Sequence, residues 1–290
     1  MSPLYIKGLI DYGQQSANPT SPSPTEGSKY WNTSDDRKYV YNGSKWVKED
    51  EGTVSFDNSN TTLHWRSEDI AGVTSWPAHK GGSGANFVAG PVTDDFTYSL
   101  GDPEMGGQKS IRSVAGESSL RTSTQSEDTY FNGTEAWSVM VVVQKDAQTS
   151  GGSHGDGLFI HTSASSTDGS WSLDATGDHT WGNGFGEEFS EAGGFTSYPR
   201  KGILLVRMDA NGGNGQLAWY DGTCQQRATC TSLPSSLPTK FASINIFNFQ
   251  TSSGNHDFVG AISEIVYYKG TRIADSERDA FTTYAVSKFW

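Results

Sequence analysis

Aromatic and polar residues suited to sugar binding are concentrated in one glycine-rich stretch, DGSWSLDATGDHTWGNGFGEEF, at residues 168–189. Aromatic faces pack on the C–H groups of sugar rings, while Asn, Asp and His side chains hydrogen-bond to sugar hydroxyl groups. We therefore predict a carbohydrate-binding site made by Trp181, His179, Asn183 and Asp178, with Trp171 as a second aromatic platform. The alternative is structural, because aromatic residues in glycine-rich loops also cap the end of a sandwich core.

The sequence contains no pair of carboxylates in a pattern that predicts glycoside cleavage. A retaining glycosidase needs two carboxyl groups about 5 Å apart, which residues on one face of a strand can supply. The nearest cluster, GEEFSE, holds Glu187, Glu188 and Glu191 among glycines, in a predicted loop where a solvated acidic segment is the simpler interpretation. The histidines also lack metal-ligand spacing such as His-x-x-x-His. We expect no catalytic residues; an enzyme is the disfavoured alternative.

Calcium is the one cofactor that the residues leave open. The segment DANGGNG, Asp209–Gly215, offers oxygen ligands at alternate positions but lacks the closing Glu of an EF-hand loop. It is already explained as a hairpin turn. Asp156 and Asp178 lie in other glycine-rich loops that could hold a hard cation or be plain loops. We expect no cofactor and no metal site.

Cys224 and Cys230 enclose the residues QQRAT, after a predicted turn at Asp221-Gly222. A disulfide at this spacing would close a short surface loop. Two free thiols are the alternative, and the redox compartment decides between them.

The composition indicates an all-β protein. The chain has 290 residues with 34 Gly, 9 Trp, 12 Tyr and 14 Phe, and these types suit turns and pleated surfaces. A net charge of −12 argues against binding to nucleic acid, because an acidic surface repels phosphates. The longest apolar run, Val139–Val143, has strand length, so we expect no membrane insertion.

The pattern of strands predicts two domains, at residues 1–50 and 51–290. Residues 14–27 read as an extended, proline-rich linker, and residues 28–48 as short strands of a small β-module with a hairpin at Asn42-Gly43. The segment Thr149–Pro199 is predicted to form long loops, and residues after Lys269-Gly270 to form one helix, with Asp275 as its N-cap. Residues 51–290 are predicted to form a two-sheet antiparallel jelly-roll sandwich ending in that helix. Its candidate strands are Thr53–Phe56, Thr62–Trp65, Ala85–Phe87, Gly106–Val114, Trp137–Lys145, Gly157–His161, Gly202–Asp209, Gln216–Tyr220, Ser243–Phe249 and Phe258–Lys269.

The end of the chain, DFVGAISEIVYYKGTRIADSERDAFTTYAVSKFW, resembles the close of concanavalin A-like (laminin-G-type) jelly-roll domains. The resemblance covers about residues 60–290. It also includes SWPAHKGGSGANF, where Ala78 stands in place of the family's Asp. It implies a fold more than a function, since this sandwich hosts lectins, enzymes and structural modules. The Glu-x-Asp-x-x-Glu pattern of the family's glycosidases is absent. The matching residues are Gly260, Glu264, Tyr267, Glu277, Arg278, Tyr284 and Lys288.

The stretch GSKYWNTSDDRKYVYNGSKWV, Gly27–Val47, resembles a short module of bacteriophage tail-fibre and other virion proteins. The resemblance implies an attachment module in which the aromatic residues Trp31, Tyr39, Tyr41 and Trp46 form a docking piece. A module this small needs a partner surface or copies of itself, so we expect a homo-oligomer, with a trimer favoured.

These observations together predict a bacteriophage virion structural protein, in a tail fibre, appendage or head decoration, that attaches to host-surface glycans. The start, MSPLYIKGLIDYG, has neither the basic opening nor the apolar core of a signal peptide, which fits assembly in a host cytoplasm and release by lysis. The expected partners are other virion proteins and a host glycan. The alternatives are a leaderless cytoplasmic protein, a capsid cement protein that binds no sugar, and a secreted bacterial module or polysaccharide-degrading enzyme.

Overall fold

The chain forms two compact units, Met1–Phe56 and Asp57–Trp290. The structure is a computed structural model. It describes residues 4–6, 9–21, 23–25, 28–34, 37–41, 46–48, 56, 59–73, 75–81, 83–89, 96–113, 120–122, 135–146, 159–162, 180–182, 188–190, 200–210, 215–230, 243–247 and 258–290.

The N-terminal unit is a five-stranded sheet in which the strands follow one another in chain order. Neighbouring strands are antiparallel except β2 and β3, which are parallel. The last three of these strands lie at the module predicted for residues 28–48, and the sequence did not reveal the first two. The strands are β1 (Leu4–Ile6), β2 (Leu9–Gln15), β3 (Lys29–Asn32), β4 (Arg37–Tyr41) and β5 (Trp46–Lys48).

The C-terminal unit is an all-β sandwich with one helix at its end. Its strands are β6 (Leu63–Trp65), β7 (Ser75–Trp76), β8 (Phe87–Ala89), β9 (Phe96–Asp102), β10 (Gln108–Ser113), β11 (Leu120–Thr122), β12 (Trp137–Lys145), β13 (Phe159–Thr162), β14 (Thr180–Gly182), β15 (Glu188–Ser190), β16 (Arg200–Met208), β17 (Gly215–Tyr220), β18 (Gln226–Cys230), β19 (Ser243–Ile246) and β20 (Gly260–Lys269), and the helix is α1 (Asp275–Phe289).

Two antiparallel sheets make the sandwich. The larger sheet has the order β18-β17-β16-β12-β20-β10-β9, and β6 also pairs with β20. The smaller sheet has the order β13-β19-β11-β8-β7, and β14 pairs with β15 in a separate ribbon. The predicted fold class, an all-β sandwich with a C-terminal helix, is confirmed.

The core lies between the two sheets. The central strand β12 is buried at every position, as its nearly continuous apolar sequence predicts for a strand covered on both faces. Val139, Val141 and Val143 face the smaller sheet and join one core cluster with Phe87 and Ile246. The alternate residues of β12 are buried on the opposite face, where α1 lies.

A β-bulge in β20 reverses the usual alternation of that strand. Val142 pairs with Glu264 while Val143 pairs with Ile262, so Ser263 is an extra residue without a register partner in β12. Ile262 therefore belongs to the core cluster between the sheets, while Glu264 lies on the face beneath α1. Without the bulge, both side chains would share one face, because strand residues alternate with a period of two.

The helix covers the outer face of the larger sheet, with Phe281, Ala285 and Phe289 buried. Its N-cap is Ala274, which makes no side-chain capping bond, so the prediction of Asp275 as the cap is wrong. Asp275 is instead the first helical residue, where its carboxylate lies near the positive end of the helix dipole. No helix in the described part of the chain is long and apolar enough to cross a bilayer.

The structure shifts some predicted strands and adds others. The prediction for β12 is confirmed residue for residue, whereas β8 begins at Phe87 because Ser83–Ala85 form a 3₁₀ turn. Short or polar strands such as β7, β9, β11 and β18 were not predicted. Most of the predicted strand Thr53–Phe56 and most of the predicted loop Thr149–Pro199 lie outside the described residues.

Gly260 is required by the close approach of two backbones. A Cβ at this position would lie 2.0 Å from the carbonyl oxygen of Gln144 in β12, and a backbone atom of a central strand cannot move away cheaply. We predict that Gly260→Ala lowers the free energy of unfolding by about 2–3 kcal/mol, the cost of overpacking. Denaturant unfolding measures this change. Gly72→Ala is the control, because a Cβ there meets no atom within 4 Å; equal effects of both substitutions would contradict the packing argument.

Candidate functional site

The predicted carbohydrate site is only partly within the described structure. Trp181 lies in β14, where Phe189 of β15 is its register partner. Trp171, Asp178, His179 and Asn183 lie outside the described residues. The ribbon of β14 and β15 gives the segment a strand hairpin where the sequence predicted only loops. Whether the five side chains converge stays a prediction.

The aromatic residues of the N-terminal unit form a closed cluster. Tyr30 is buried and stacks on Tyr39 with ring centroids 5.1 Å apart. Trp46 meets Tyr30 edge-on at 4.9 Å and Tyr41 at 5.3 Å. Of the four predicted docking residues, Tyr39, Tyr41 and Trp46 therefore serve this small core. Trp31 is different, because 39% of it is exposed.

Part of the predicted extended linker, residues 14–27, packs on this cluster. Tyr12 of β2 is buried beside Trp46, with ring centroids 5.6 Å apart. The Trp46 indole donates a hydrogen bond to the Pro19 carbonyl oxygen at 3.1 Å, and the Tyr30 hydroxyl donates to the side chain of Asn18. Asn18 and Pro19, within the predicted extended linker, therefore contact the aromatic cluster.

A buried carboxylate lies at the centre of the outer face of the larger sheet. Glu264 in β20 has a side chain with 0% exposure. Its Oε1 accepts hydrogen bonds from His64 Nε2 and from the Tyr284 hydroxyl, both at 2.8 Å. Its Oε2 accepts from Lys288 Nζ at 2.6 Å. A buried carboxylate is stable only when its lone pairs are met in this way. We call Glu264, His64, Tyr284 and Lys288 the Glu264 network.

The network reaches the surface through Lys288. Its ammonium also donates to Glu68 Oε2 at 2.6 Å and to the Tyr284 hydroxyl oxygen at 2.7 Å, which uses all three of its protons. Glu68 belongs to a 3₁₀ turn, Ser67–Asp69, whose Asp69 is held by the guanidinium of Arg66. The turn, the helix and β20 are thus joined by one ammonium group.

Two residues in contact with Lys288, Glu68 and Tyr284, have shifted pKa values. Burial alone would raise the pKa of the Glu68 carboxyl, but the hydrogen bond and charge of Lys288 outweigh it and lower the pKa to about 2. Burial, followed by the charge and hydrogen bond of Glu264, raises the pKa of Tyr284 far above its ordinary value. Tyr284 is therefore a hydrogen-bond donor at any physiological pH.

Glu68 and Glu264 have the spacing of a retaining-glycosidase pair but not its setting. Their contacts with Lys288 Nζ place one oxygen of each carboxylate no more than about 5 Å apart, close to the separation of catalytic carboxyl groups. However, the ammonium fills the space between them, and Glu264 is fully buried. No sugar ring reaches both groups, so this pair is structural.

A second ionic cluster surrounds Arg112 in β10. Its guanidinium contacts Asp102 at 3.1 Å, Glu104 at 2.6 Å and Asp146. The Gln144 amide donates to Glu104 and Asp146 as well. Burial alone would lower the pKa of Arg112, but the bonds and charges of Asp146 and Asp102 outweigh it and raise the pKa. These carboxylates therefore hold neighbouring strand ends together.

The calcium candidates and the cysteine pair are only partly within the described structure. Asp209 is held by Arg272 at 3.2 Å, and Asp156 and Asp178 lie outside the described residues. Among the described residues, no group of three or more His, Cys, Asp or Glu side chains is arranged to hold a metal ion. Cys224 is a half-buried free thiol among the described residues, the side chain of Cys230 lies outside them, and whether the pair forms a disulfide stays a prediction.

Comparison with solved structures relates the chain to other β-rich proteins. Trypanosoma rangeli sialidase in complex with sialic acid matches 91% of this chain and 45% of its own, with a TM-score of 0.52 and 11% identity. Botulinum neurotoxin type C, which depends on two ganglioside molecules to enter cells, matches 79% of this chain and 52% of its own, with a TM-score of 0.50 and 13% identity. The chain spans about half the length of these structures. The likeness is one of fold.

No protein-family model and no curated protein sequence matches the chain. The residues that carried the resemblance to concanavalin A-like domains nevertheless have clear structural positions. Glu264, Tyr284 and Lys288 form the network, while Tyr267 is buried in the core between the sheets. Glu277 accepts a hydrogen bond from Asn60 at 2.7 Å. These residues make contacts within the sandwich, so the motif indicates the fold and not a binding site.

The lowered pKa of Glu68 makes a prediction about acid unfolding. A carboxyl whose pKa falls on folding contributes stability above its unfolded pKa of about 4.5, and loses that contribution as the pH falls towards 2. Glu68→Gln should therefore be less stable than the wild type at pH 7, and the difference should vanish between about pH 4.5 and 2. The difference will be small, because 49% of the Glu68 side chain is exposed.

Urea unfolding at a series of pH values measures this difference. Glu277→Gln is the control, because it removes a carboxylate whose hydrogen-bond donor, Asn60, is neutral, and its effect should vary less with pH. A Glu68→Gln difference that stays constant from pH 7 to pH 2 would show that the Lys288 contact does not act through the charge of Glu68.

Proposed function

We propose that the C-terminal sandwich binds glycans on a cell surface and breaks no bonds. The observation that carries the proposal is the likeness of fold to two proteins whose described ligands are sugars, sialic acid for the sialidase and gangliosides for the neurotoxin. The aromatic and polar composition of residues 168–189 supports it independently. Trp181 is the proposed central platform, with His179, Asn183, Asp178 and Trp171 as its neighbours.

The state of the described carboxylates supports binding rather than cleavage. A general acid needs a reachable carboxyl group with a raised pKa, beside a second carboxylate. Glu68 has a lowered pKa and Asp102 a lowered pKa as well, the latter because the Ser110 hydroxyl and Arg112 outweigh the effect of burial. Both are held by cations inside the fold, which suits them to structure and not to proton transfer.

The setting that we propose is a bacteriophage virion, with the N-terminal unit as the attachment module. Its support is the resemblance of Gly27–Val47 to tail-fibre modules and the exposed Trp31 on an otherwise self-contained aromatic sheet. Copies of the chain, most simply three, would then present several sandwiches to one cell. Weak single-site sugar contacts suffice in such an assembly, because multivalency raises the effective affinity by orders of magnitude.

A capsid cement role is the second candidate, and the N-terminal unit favours it equally. An exposed Trp suits docking to any protein partner, since Trp is enriched at interface hot spots. In that role the sandwich would only stabilise a capsid or space a fibre, and it would bind no sugar.

Trp181→Ala should weaken binding to host cells or to arrayed glycans at least tenfold, about 1.4 kcal/mol, because the aromatic platform is lost. The variant is used only if its thermal midpoint equals that of the wild type. Trp31→Ala is the matched control, since it removes an exposed Trp from the other unit and should leave glycan binding by the isolated chain unchanged.

The outcomes separate the candidates. Equal glycan binding by the wild type and Trp181→Ala would remove the proposed site but keep the proposed function. No glycan binding by either, with firm retention of the protein on capsids, would favour the cement role. Release of reducing sugar from host polysaccharide would identify an enzyme and overturn the proposal of binding alone.

A further inference from the structure

A row of register partners crosses the smaller sheet on the side away from the core. Val88 of β8 is opposite Ser75 of β7 and opposite Arg121 of β11, and Arg121 is in turn opposite Asn245 of β19. Directly opposite residues of antiparallel strands lie on the same face of a sheet. The neighbouring positions in β7, β8 and β11 are buried, so Ser75, Val88 and Arg121 belong to the outer face.

This face is open to solvent. Ser75 and Arg121 are exposed, and 45% of Val88 is exposed although it is a large apolar residue in the middle of a strand. Adjacent strands are about 4.8 Å apart, so the three positions span roughly 10 Å, the scale of a short oligosaccharide. The Ser75 hydroxyl, the Val88 side chain and the Arg121 guanidinium therefore lie in one row that a ligand can reach.

Arg121 differs from the arginines elsewhere in the sandwich. In the described part of the chain it makes no hydrogen bond or ion pair, although acidic residues outnumber basic ones by 33 to 21. The contrast is with five arginines that each pair with a carboxylate, namely Arg66, Arg112, Arg207, Arg272 and Arg278. An exposed guanidinium with all its donors available suits a carboxylate from outside the chain, because its planar fork matches that group in two parallel hydrogen bonds.

We propose that the outer face of the smaller sheet binds an acidic oligosaccharide. Arg121 binds the carboxylate of an acidic sugar, Val88 packs against the C–H face of the same or the next ring, and Ser75 hydrogen-bonds to a hydroxyl group. The inference rests on the proposed glycan-binding function and specifies its ligand class. The chain is acidic overall, so this local cation also selects the position of an anionic ligand on the surface.

Arrayed acidic glycans, each paired with its carboxyl-reduced neutral form, test the proposal. Sialyllactose and oligogalacturonate, each with its carboxyl-reduced form, are two such pairs. The wild type should prefer the acidic member of at least one pair, and the preference should fall with added salt. Arg121→Gln should lose at least tenfold in binding to that member and little to its neutral form. Arg121→Lys keeps the charge but not the forked geometry of the guanidinium. Its affinity for the acidic glycan should lie between those of the wild type and Arg121→Gln.

Arg272→Gln is the charge-matched control, because it removes one positive charge from a residue already paired with Asp209 and should keep the preference. Binding to neutral and acidic glycans alike, unchanged in Arg121→Gln, would overturn this inference while leaving the proposed function intact. Equal losses in Arg121→Gln and Arg272→Gln would reduce it to an effect of net charge and overturn it as well. Failure of the wild type to bind any glycan would overturn the proposed function itself.

Discussion

The stability of the sandwich depends on the buried negative charge of Glu264 in the larger sheet. Glu264 has no access to water, so its charge has to be met by donors from other parts of the chain. His64 comes from β6, and Tyr284 and Lys288 come from the helix, which places the helix and β6 relative to β20. The bulge at Ser263 is part of the same constraint, because it turns Glu264 towards the helix while Ile262 stays in the core.

The described ionic clusters have structural roles. The carboxylates of Glu68 and Glu264 are held by Lys288, and those around Arg112 hold strand ends together. These carboxylates therefore stabilise the fold, and the glycan sites that we propose lie elsewhere, on the ribbon that contains Trp181 and on the outer face of the smaller sheet. Both carry the residue types that recognise sugars, aromatic and polar on the ribbon and cationic on the sheet.

The sequence predicted the elements whose local pattern is strong. Residues Trp137–Lys145 are nearly continuous in apolar and β-branched residues, the pattern of a strand buried on both faces. The strand β9 was missed although Phe96–Leu100 alternate apolar and polar residues, and its exposed Leu100 shows that this alternation does not mark a buried face. Glu264, Tyr284 and Lys288 were visible as a motif, but their role was not, since it depends on a bulge and on a partner, His64, 200 residues away. The significance of Arg121 also appears only from strand register and from the partners of other arginines.

The direct test of the account is amide hydrogen exchange on Glu264→Gln. An amide at this position supplies a donor where His64, Tyr284 and Lys288 all need an acceptor, so the helix should separate from the sheet more readily. The account predicts that amides of residues 275–289 lose protection at least tenfold more than amides of β12, whose backbone pairs with β16 and β20 and not with the helix. Equal loss of protection in both elements, or no loss in the helix, would contradict the claim that the Glu264 network holds the helix in place.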